Sequence, residues 1–154
     1  DLKVGIIRSG NIYGPADYNL ERLIPGIIIN TLRNKKTIIR SNGKLIRDYI
    51  YVHDVAKAYI MLMKKMFKNS KKLFIYNIGS KHNLTALIML DKIQKLMKKK
   101  INPVIKNISK VEIKEQKLNY QKAFKELKWK PRANLEESLK ETIKWYKNNL
   151  AYFK

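Results

Sequence analysis

The first apolar segment of the chain constrains its fold more than any other feature. The run from Lys3 to Arg8 carries Val4, Ile6 and Ile7 and ends in Arg-Ser-Gly-Asn, a pattern that predicts a buried β-strand followed by a turn. Such an apolar strand is typical of a parallel sheet that is covered on both faces. No strand–helix unit precedes it in this sequence, so we expect its neighbours in the sheet to come from upstream sequence.

Strands and helices alternate along the rest of the chain, which predicts α/β architecture. The apolar spacing predicts helices over Leu20–Leu32, from Asp54 as N-cap to Met66, over Thr85–Met97, over Gln121–Leu127, and from Asn134 as N-cap to Leu150. Strands are predicted over 37–40, 47–52, 73–78 and 101–105, the first two joined as a hairpin by Asn42-Gly43.

Composition excludes several classes of protein. The chain has no cysteine, its two histidines are far apart in sequence, and no apolar run is long enough to span a bilayer. We therefore expect no metal site, no membrane association and a cytoplasmic location. The net charge of +22 raises the question of nucleic acid, but the Lys residues are scattered over every segment, which favours solvated surfaces over a nucleic-acid interface.

Arginine is distributed differently from lysine. The chain has 28 Lys and only 6 Arg, and five of the six Arg lie within the first 47 residues. The planar guanidinium can bind phosphate through two parallel hydrogen bonds, which an ammonium group cannot do. This cluster predicts a phosphate-bearing ligand, although Arg33 and Arg132 are equally consistent with surface cations.

Three motifs occur in order along the chain. They are Arg8-Ser-Gly-Asn-Ile-Tyr-Gly-Pro15, Arg47-Asp-Tyr-Ile-Tyr-Val-His-Asp-Val55, and Leu127-Lys-Trp-Lys-Pro131 followed by Leu135-Glu-Glu-Ser-Leu139. Together they resemble the extended short-chain dehydrogenases/reductases that act on nucleotide sugars, the NAD-dependent epimerases and dehydratases. The segments Ile38-Ile-Arg-Ser-Asn-Gly43 and Glu112-Ile-Lys-Glu-Gln116 are most similar to the CDP-glucose 4,6-dehydratases of that family.

The resemblance implies the C-terminal portion of an NAD(P)-binding, Rossmann-like α/β fold. The chain would be a single partial domain. Residues 1–15 would end the cofactor-binding sheet, and residues 16–154 would form mainly the small, mixed α/β substrate-binding region. One strand near 73–79 would return to the sheet.

The resemblance also implies the site residues. It places Ser9 near the nicotinamide of NAD and Asn11 on the sugar or phosphate of the substrate, beyond the carboxyl end of a strand. It places Arg22 and the backbone of Leu23 at the pyrophosphate, where the N-terminus of a helix favours anions.

Three further substrate contacts follow from the same resemblance. Arg47 would clamp the diphosphate from the opposite side, and Arg40 would flank the nucleobase. Gln116 stands near the position where many relatives carry a phosphate-binding Arg, so its contact departs from the usual pattern. Tyr49, Tyr51 and Trp129 are interpreted as core residues.

The motifs that carry out catalysis in this family do not occur in the sequence. There is no glycine-rich dinucleotide fingerprint and no Tyr-x-x-x-Lys pair. We therefore expect no catalytic residue in this chain and an NAD bound mainly by the N-terminal half. The complete protein would be a homodimer that converts a nucleotide-diphosphate sugar to its 4-keto-6-deoxy form. A 4-epimerase, a non-catalytic sugar-nucleotide-binding remnant and a basic nucleic-acid-binding module are the alternatives.

Overall fold

The computed structural model describes residues 2–108 and 112–153. In chain order these form β1 (Val4–Ser9), β2 (Asn11–Tyr13), α1 (Leu23–Leu32), β3 (Ile38–Ile39), β4 (Ile46–Tyr51), α2 (Val52–Phe67), β5 (Leu73–Ile78), β6 (Asn83–Thr85), α3 (Ala86–Leu96), β7 (Val104–Ile105), α4 (Gln121–Leu127), α5 (Leu135–Asn148) and a 3-10 turn at Leu150–Tyr152. The predicted α/β class is confirmed.

The first strand pairs in parallel with the strand that was expected to return to it. In β1 and β5, Val4 lies opposite Leu73 and Ser9 opposite Ile78, and α2 packs on both strands. Within the described residues Val4 and Ile6 of β1 remain 39% and 38% exposed, so the burial of this strand by further neighbours stays a prediction. β1 has only one neighbouring strand there, and α2 covers one of its faces.

The hairpin predicted around Asn42-Gly43 does not form. β3 pairs with β7 instead, and β4 lies between β2 and β6, parallel to the first and antiparallel to the second. Gly43 does adopt a left-handed conformation with φ of 76°, as the turn signal predicts. The turn, however, directs the chain towards α3, where the Gly43 carbonyl accepts a hydrogen bond from the Leu87 amide.

Strand β4 separates two hydrophobic cores. Alternate side chains of a strand point to opposite faces. Tyr49 and Tyr51 accordingly belong to the core built with α1, α3 and α5, while Ile50 belongs to the core built with α2, β5 and α4. Tyr49, Tyr51 and Trp129 are all at least 94% buried, which confirms their interpretation as core residues.

Local signals located most of the helices. The predicted bounds of α4 are confirmed, and Asn134 caps α5 by accepting hydrogen bonds from the amides of Glu136 and Glu137. Thr85 caps α3. α1 begins at Leu23 rather than Leu20, because residues 20–22 form the turn that leads into it.

Two polar residues, Asp54 and Arg33, form other contacts than those predicted. α2 begins at Val52, so Asp54 is not its N-cap. The buried Asp54 carboxylate accepts hydrogen bonds from the amides of Arg132 and Ala133 instead, at 3.0 and 2.9 Å. Arg33 is half-buried and donates to the Phe153 carbonyl. It therefore fixes the C-terminal segment to the end of α1 and is not a free surface cation.

Candidate functional site

An open cleft brings three arginines together. It is lined by Arg22, Arg40 and Arg47, and also by Asn11, Glu21, Leu23, Tyr49 and Glu112 among others; we call it the arginine cleft. Its volume of about 240 Å³ lies just below the usual range of about 300–1,000 Å³ for small-molecule pockets. The cleft is thus large enough for part of a nucleotide sugar, such as its diphosphate.

The strands place two of the cleft residues by register. Asn11 of β2 lies opposite Tyr49 of β4, and Arg47 is two residues before Tyr49 on the same face of β4. Burial raises the pKa of Tyr49 to about 12, although the charge of Arg47 acts to lower it. The Tyr49 hydroxyl therefore stays protonated at neutral pH and cannot serve as a general base there.

Arg22 and Leu23 form the N-terminal end of α1 at the wall of the cleft. Arg22 is the N-cap residue, and its carbonyl accepts the first helical hydrogen bond, from Gly26. Its guanidinium donates to the Ile12 carbonyl at 2.8 Å and pairs with Asp17 at 3.1 Å. The amides of Leu23 and Ile24, which precede Pro25 in the first turn of α1, and this guanidinium together favour an anion.

Arg47 is the least exposed of the three cleft arginines, with 19% of its side chain accessible. Its Nη2 lies 2.8 Å from Glu112 Oε2, and its Nη1 donates to the carbonyls of Ile46 and Ile113. Arg40 lies at the open edge, where 61% of its side chain is accessible, and pairs with Glu21 at 3.4 Å. An exposed guanidinium plane of this kind can stack on an aromatic ring.

The structure does not bring every predicted site residue to the cleft. Ser9 is half-buried at the carboxyl end of β1, on the sheet that β5 completes. Gln116 is absent from the residues that line the cleft, and its backbone N–H donates to the Ile46 carbonyl at 3.0 Å. The ligand contacts of Ser9 and Gln116 stay predictions.

Buried Asp48 supports the back of the site. Its two carboxylate oxygens accept hydrogen bonds from the amides of Ser80 and Leu118, at 2.8 and 3.2 Å. A Cβ added to Gly10 would lie 2.5 Å from the Asp48 carbonyl. Gly10 is therefore required for the close contact between the turn after β1 and β4.

The carboxylates of the site were not predicted from the sequence. Asp17, Glu21 and Glu112 each pair with one of the three arginines. Glu112 lies 65 residues from its partner Arg47, so no local pattern could have linked them.

The described residues also bear on metals and membranes. Within 2–108 and 112–153, no group of three or more His, Cys, Asp or Glu side chains could hold a metal ion. None of the helices in these ranges is long and apolar enough to cross a membrane.

The chain is similar in sequence and fold to enzymes of nucleotide-sugar metabolism. It is 32% identical over 150 residues to the trifunctional UDP-glucose 4,6-dehydratase/UDP-4-keto-6-deoxy-D-glucose 3,5-epimerase/UDP-4-keto-L-rhamnose-reductase of Arabidopsis thaliana, a match over 96% of this chain and 22% of that protein. The UDP-glucose 4-epimerase of Thermotoga maritima, solved with UDP-glucose, superposes with a TM-score of 0.82 at 29% identity, over 94% of this chain and 46% of that one.

A third relative was solved with the cofactor. The dTDP-glucose 4,6-dehydratase of Bacillus anthracis in complex with NAD superposes with a TM-score of 0.81 at 29% identity, over 95% of this chain and 45% of that one. The chain thus spans less than half the length of each of these three relatives. Residues 1–79 match the model of the NAD dependent epimerase/dehydratase family, and the chain belongs to that family.

Proposed function

We propose that this chain forms the nucleotide-sugar-binding part of an NAD-dependent nucleotide-sugar 4,6-dehydratase. The observation that carries the proposal is the convergence of Arg22, Arg40 and Arg47 on one cleft at the N-terminus of α1. Charge-assisted, bidentate contacts make arginine well suited to a diphosphate. The names of the dehydratase relatives in Arabidopsis thaliana and Bacillus anthracis support the reaction.

Each cleft residue has a part in binding. The diphosphate would lie between Arg47 on one side and Arg22 with the Leu23 amide on the other. Asn11 would contact the sugar or a phosphate oxygen, and Arg40, at the open edge, would stack on the base. Gln116 lies outside the lining of the cleft, so its side chain would have to move towards the cleft to contribute.

The cofactor would be held mostly by sequence outside this chain. Within the described residues, the half-buried Ser9 at the end of β1 is suited to the margin of a nicotinamide site, while the glycine-rich turn that cradles a dinucleotide does not occur in the sequence. When bound, NAD supplies a reversible hydride acceptor for the sugar carbon C4. The net reaction of the complete protein, which we propose to be a homodimer, is the loss of water from the hexose to give its 4-keto-6-deoxy form.

The base and the outcome at C4 are finer parts of the proposal. The similarity of 38–43 and 112–116 to CDP-glucose 4,6-dehydratases supports CDP-glucose, whereas the relatives described above are named for UDP- and dTDP-glucose. A nucleotide-sugar 4-epimerase is the second candidate, supported by the likeness to the Thermotoga maritima enzyme. A binding remnant without activity is the third.

Calorimetric titration of this chain tests the binding function, because the walls of the cleft lie within it. CDP-, UDP-, dTDP- and GDP-glucose are compared, and we expect CDP-glucose to bind most tightly. Equal and weak binding of all four, unchanged in the variant Arg47→Lys, would refute a nucleotide-sugar site.

Assays of the reaction separate the three candidates. The protein completed with its N-terminal half and NAD should form a 4-keto-6-deoxy product, which absorbs in alkali. A 4-epimeric sugar nucleotide formed without loss of water would instead establish the epimerase, and binding without any product would establish the remnant. We expect this chain alone to form no product, since its sequence lacks the Tyr-x-x-x-Lys pair.

A further inference from the structure

The Arg47 guanidinium is held by three acceptors. Its Nη1 donates to the carbonyls of Ile46 and Ile113, at 2.9 and 2.7 Å, and its Nη2 donates to Glu112 Oε2 at 2.8 Å. Two of these acceptors belong to adjacent residues, Glu112 and Ile113. One short segment therefore accepts two hydrogen bonds from the guanidinium.

That segment is itself fastened to β4. The Ile46 backbone N–H donates to the Lys114 carbonyl, and the Gln116 backbone N–H donates to the Ile46 carbonyl, both at 3.0 Å. Because these backbone bonds start at the residue before Arg47, the segment and the arginine are fixed to the same point of the sheet. Glu112 is thus held in place beside Arg47, unlike a carboxylate on a free surface side chain.

The contacts within the protein use only part of the hydrogen-bonding capacity of the Arg47 guanidinium. A guanidinium has five N–H groups, and the three bonds above use both from Nη1 and one from Nη2. Within residues 2–108 and 112–153 the other Nη2–H and the Nε–H have no acceptor, and Arg47 lines the arginine cleft. Two N–H donors from neighbouring nitrogens can form the bidentate contact that a phosphate accepts.

We propose that Glu112 is a positioning residue that fixes the Arg47 guanidinium so that its Nε–H and second Nη2–H bind a diphosphate. The inference rests on the proposed function of the cleft. The other two arginine pairs are looser: the Arg22 side chain is 45% exposed, and Arg40 and Glu21 are 61% and 75% exposed. Pre-ordering of this kind lowers the entropic cost of binding.

The charge of Glu112 makes two substitutions informative. Glu112→Gln and Glu112→Ala remove the same negative charge, which by itself repels a phosphate. Only glutamine keeps an oxygen that can accept the Nη2 hydrogen bond. A positioning role therefore predicts that the two variants differ, while a purely electrostatic role predicts that both bind an anion more tightly and by the same factor.

The first measurement is calorimetric titration of this chain with inorganic pyrophosphate at low salt, with thermal melts showing that each variant is folded. We expect Glu112→Ala to bind roughly three- to tenfold more weakly than Glu112→Gln, the range that ordering one long side chain allows. The matched controls are Glu21→Ala and Glu21→Gln in the same cleft, which should bind alike because the Glu21 pair is exposed.

The second measurement needs no ligand. Relaxation of the Arg47 Nε–H by ¹⁵N NMR should show an ordered side chain in the parent and in Glu112→Gln, and a mobile one in Glu112→Ala. Equal order in all three proteins would overturn the positioning role, as would equal pyrophosphate affinities of the two Glu112 variants. If order is lost as expected but the parent does not bind pyrophosphate, the proposed function of the cleft fails and the positioning of Arg47 stands.

Discussion

Replacing Asp48 by asparagine should destabilise the protein strongly, although the two side chains have nearly the same shape. Asp48 is fully buried. Its two oxygens accept hydrogen bonds from the amides of Ser80 and Leu118, at 2.8 and 3.2 Å. An asparagine has one acceptor oxygen, and its NH₂ group would face one of these two amides donor to donor.

The magnitude follows from the lost contact. A hydrogen bond to a charged group contributes about 1.5–3 kcal/mol, and a buried donor without a partner costs about 1–3 kcal/mol. Because these effects overlap in part, we expect the free energy of unfolding to fall by about 2–5 kcal/mol. For a chain of this length, the melting temperature should fall by roughly 5–15 °C.

Urea unfolding followed by tryptophan fluorescence measures the change. The control is Asp91→Asn, because Asp91 is 55% exposed and pairs with Lys95 one helical turn away, so its removal should cost less than about 0.5 kcal/mol. An Asp48→Asn variant within about 0.5 kcal/mol of the parent would refute the assignment of Asp48 as the acceptor that joins β4 to these two loops.

Three further predictions concern the cleft, a helix cap and alkaline stability. Arg47→Lys should weaken nucleotide-sugar binding by roughly ten- to a hundredfold in calorimetric titration, since an ammonium cannot form the bidentate contact. The control Arg132→Lys should have little effect. Similar losses of affinity in both variants would contradict the diphosphate contact. Asn134→Ala should lower the free energy of unfolding in urea by about 1 kcal/mol, because two amides of α5 lose their cap; no change would show that solvent replaces the cap at no cost. Burial raises the pKa of Tyr49 to about 12 from its ordinary value of 10.0, so its stabilising effect should be complete below pH 10 and lost as the pH rises to about 12. Across this pH range the melting temperature should fall less steeply in Tyr49→Phe than in the parent. In the exposed Tyr152→Phe it should fall as steeply as in the parent. Parallel curves for Tyr49→Phe and the parent would contradict the raised pKa.

The elements predicted best from sequence are those whose signals are local. Leu73–Ile78 and Gln121–Leu127 have the predicted bounds, because an apolar run closed by glycine and a helix stopped before proline are complete within a few residues. The N-cap at Asn134 was predicted for the same reason. The three motifs that begin at Arg8, Arg47 and Leu127 together identified the family.

Strand pairing and the partners of polar groups could not be predicted in this way. The spacing of apolar residues indicates which face of a strand is buried but does not specify the neighbouring strand. The sequence therefore predicted a hairpin between 37–40 and 47–52, whereas β3 pairs with β7. Asp54 has the sequence features of an N-cap, yet its carboxylate binds amides nearly 80 residues away. Such contacts depend on how helices and strands pack, which no short segment encodes.

The order of motifs was enough to predict the family, the α/β class and five of the residues that line the arginine cleft: Asn11, Arg22, Leu23, Arg40 and Arg47. The folded chain was needed to show that these five residues share one cavity, that Gln116 lies outside its lining, and that Glu112 pairs with Arg47. The type and order of residues set local conformation and the chemistry that each side chain can perform. The distance between two groups far apart in sequence is set by the packing of the whole chain.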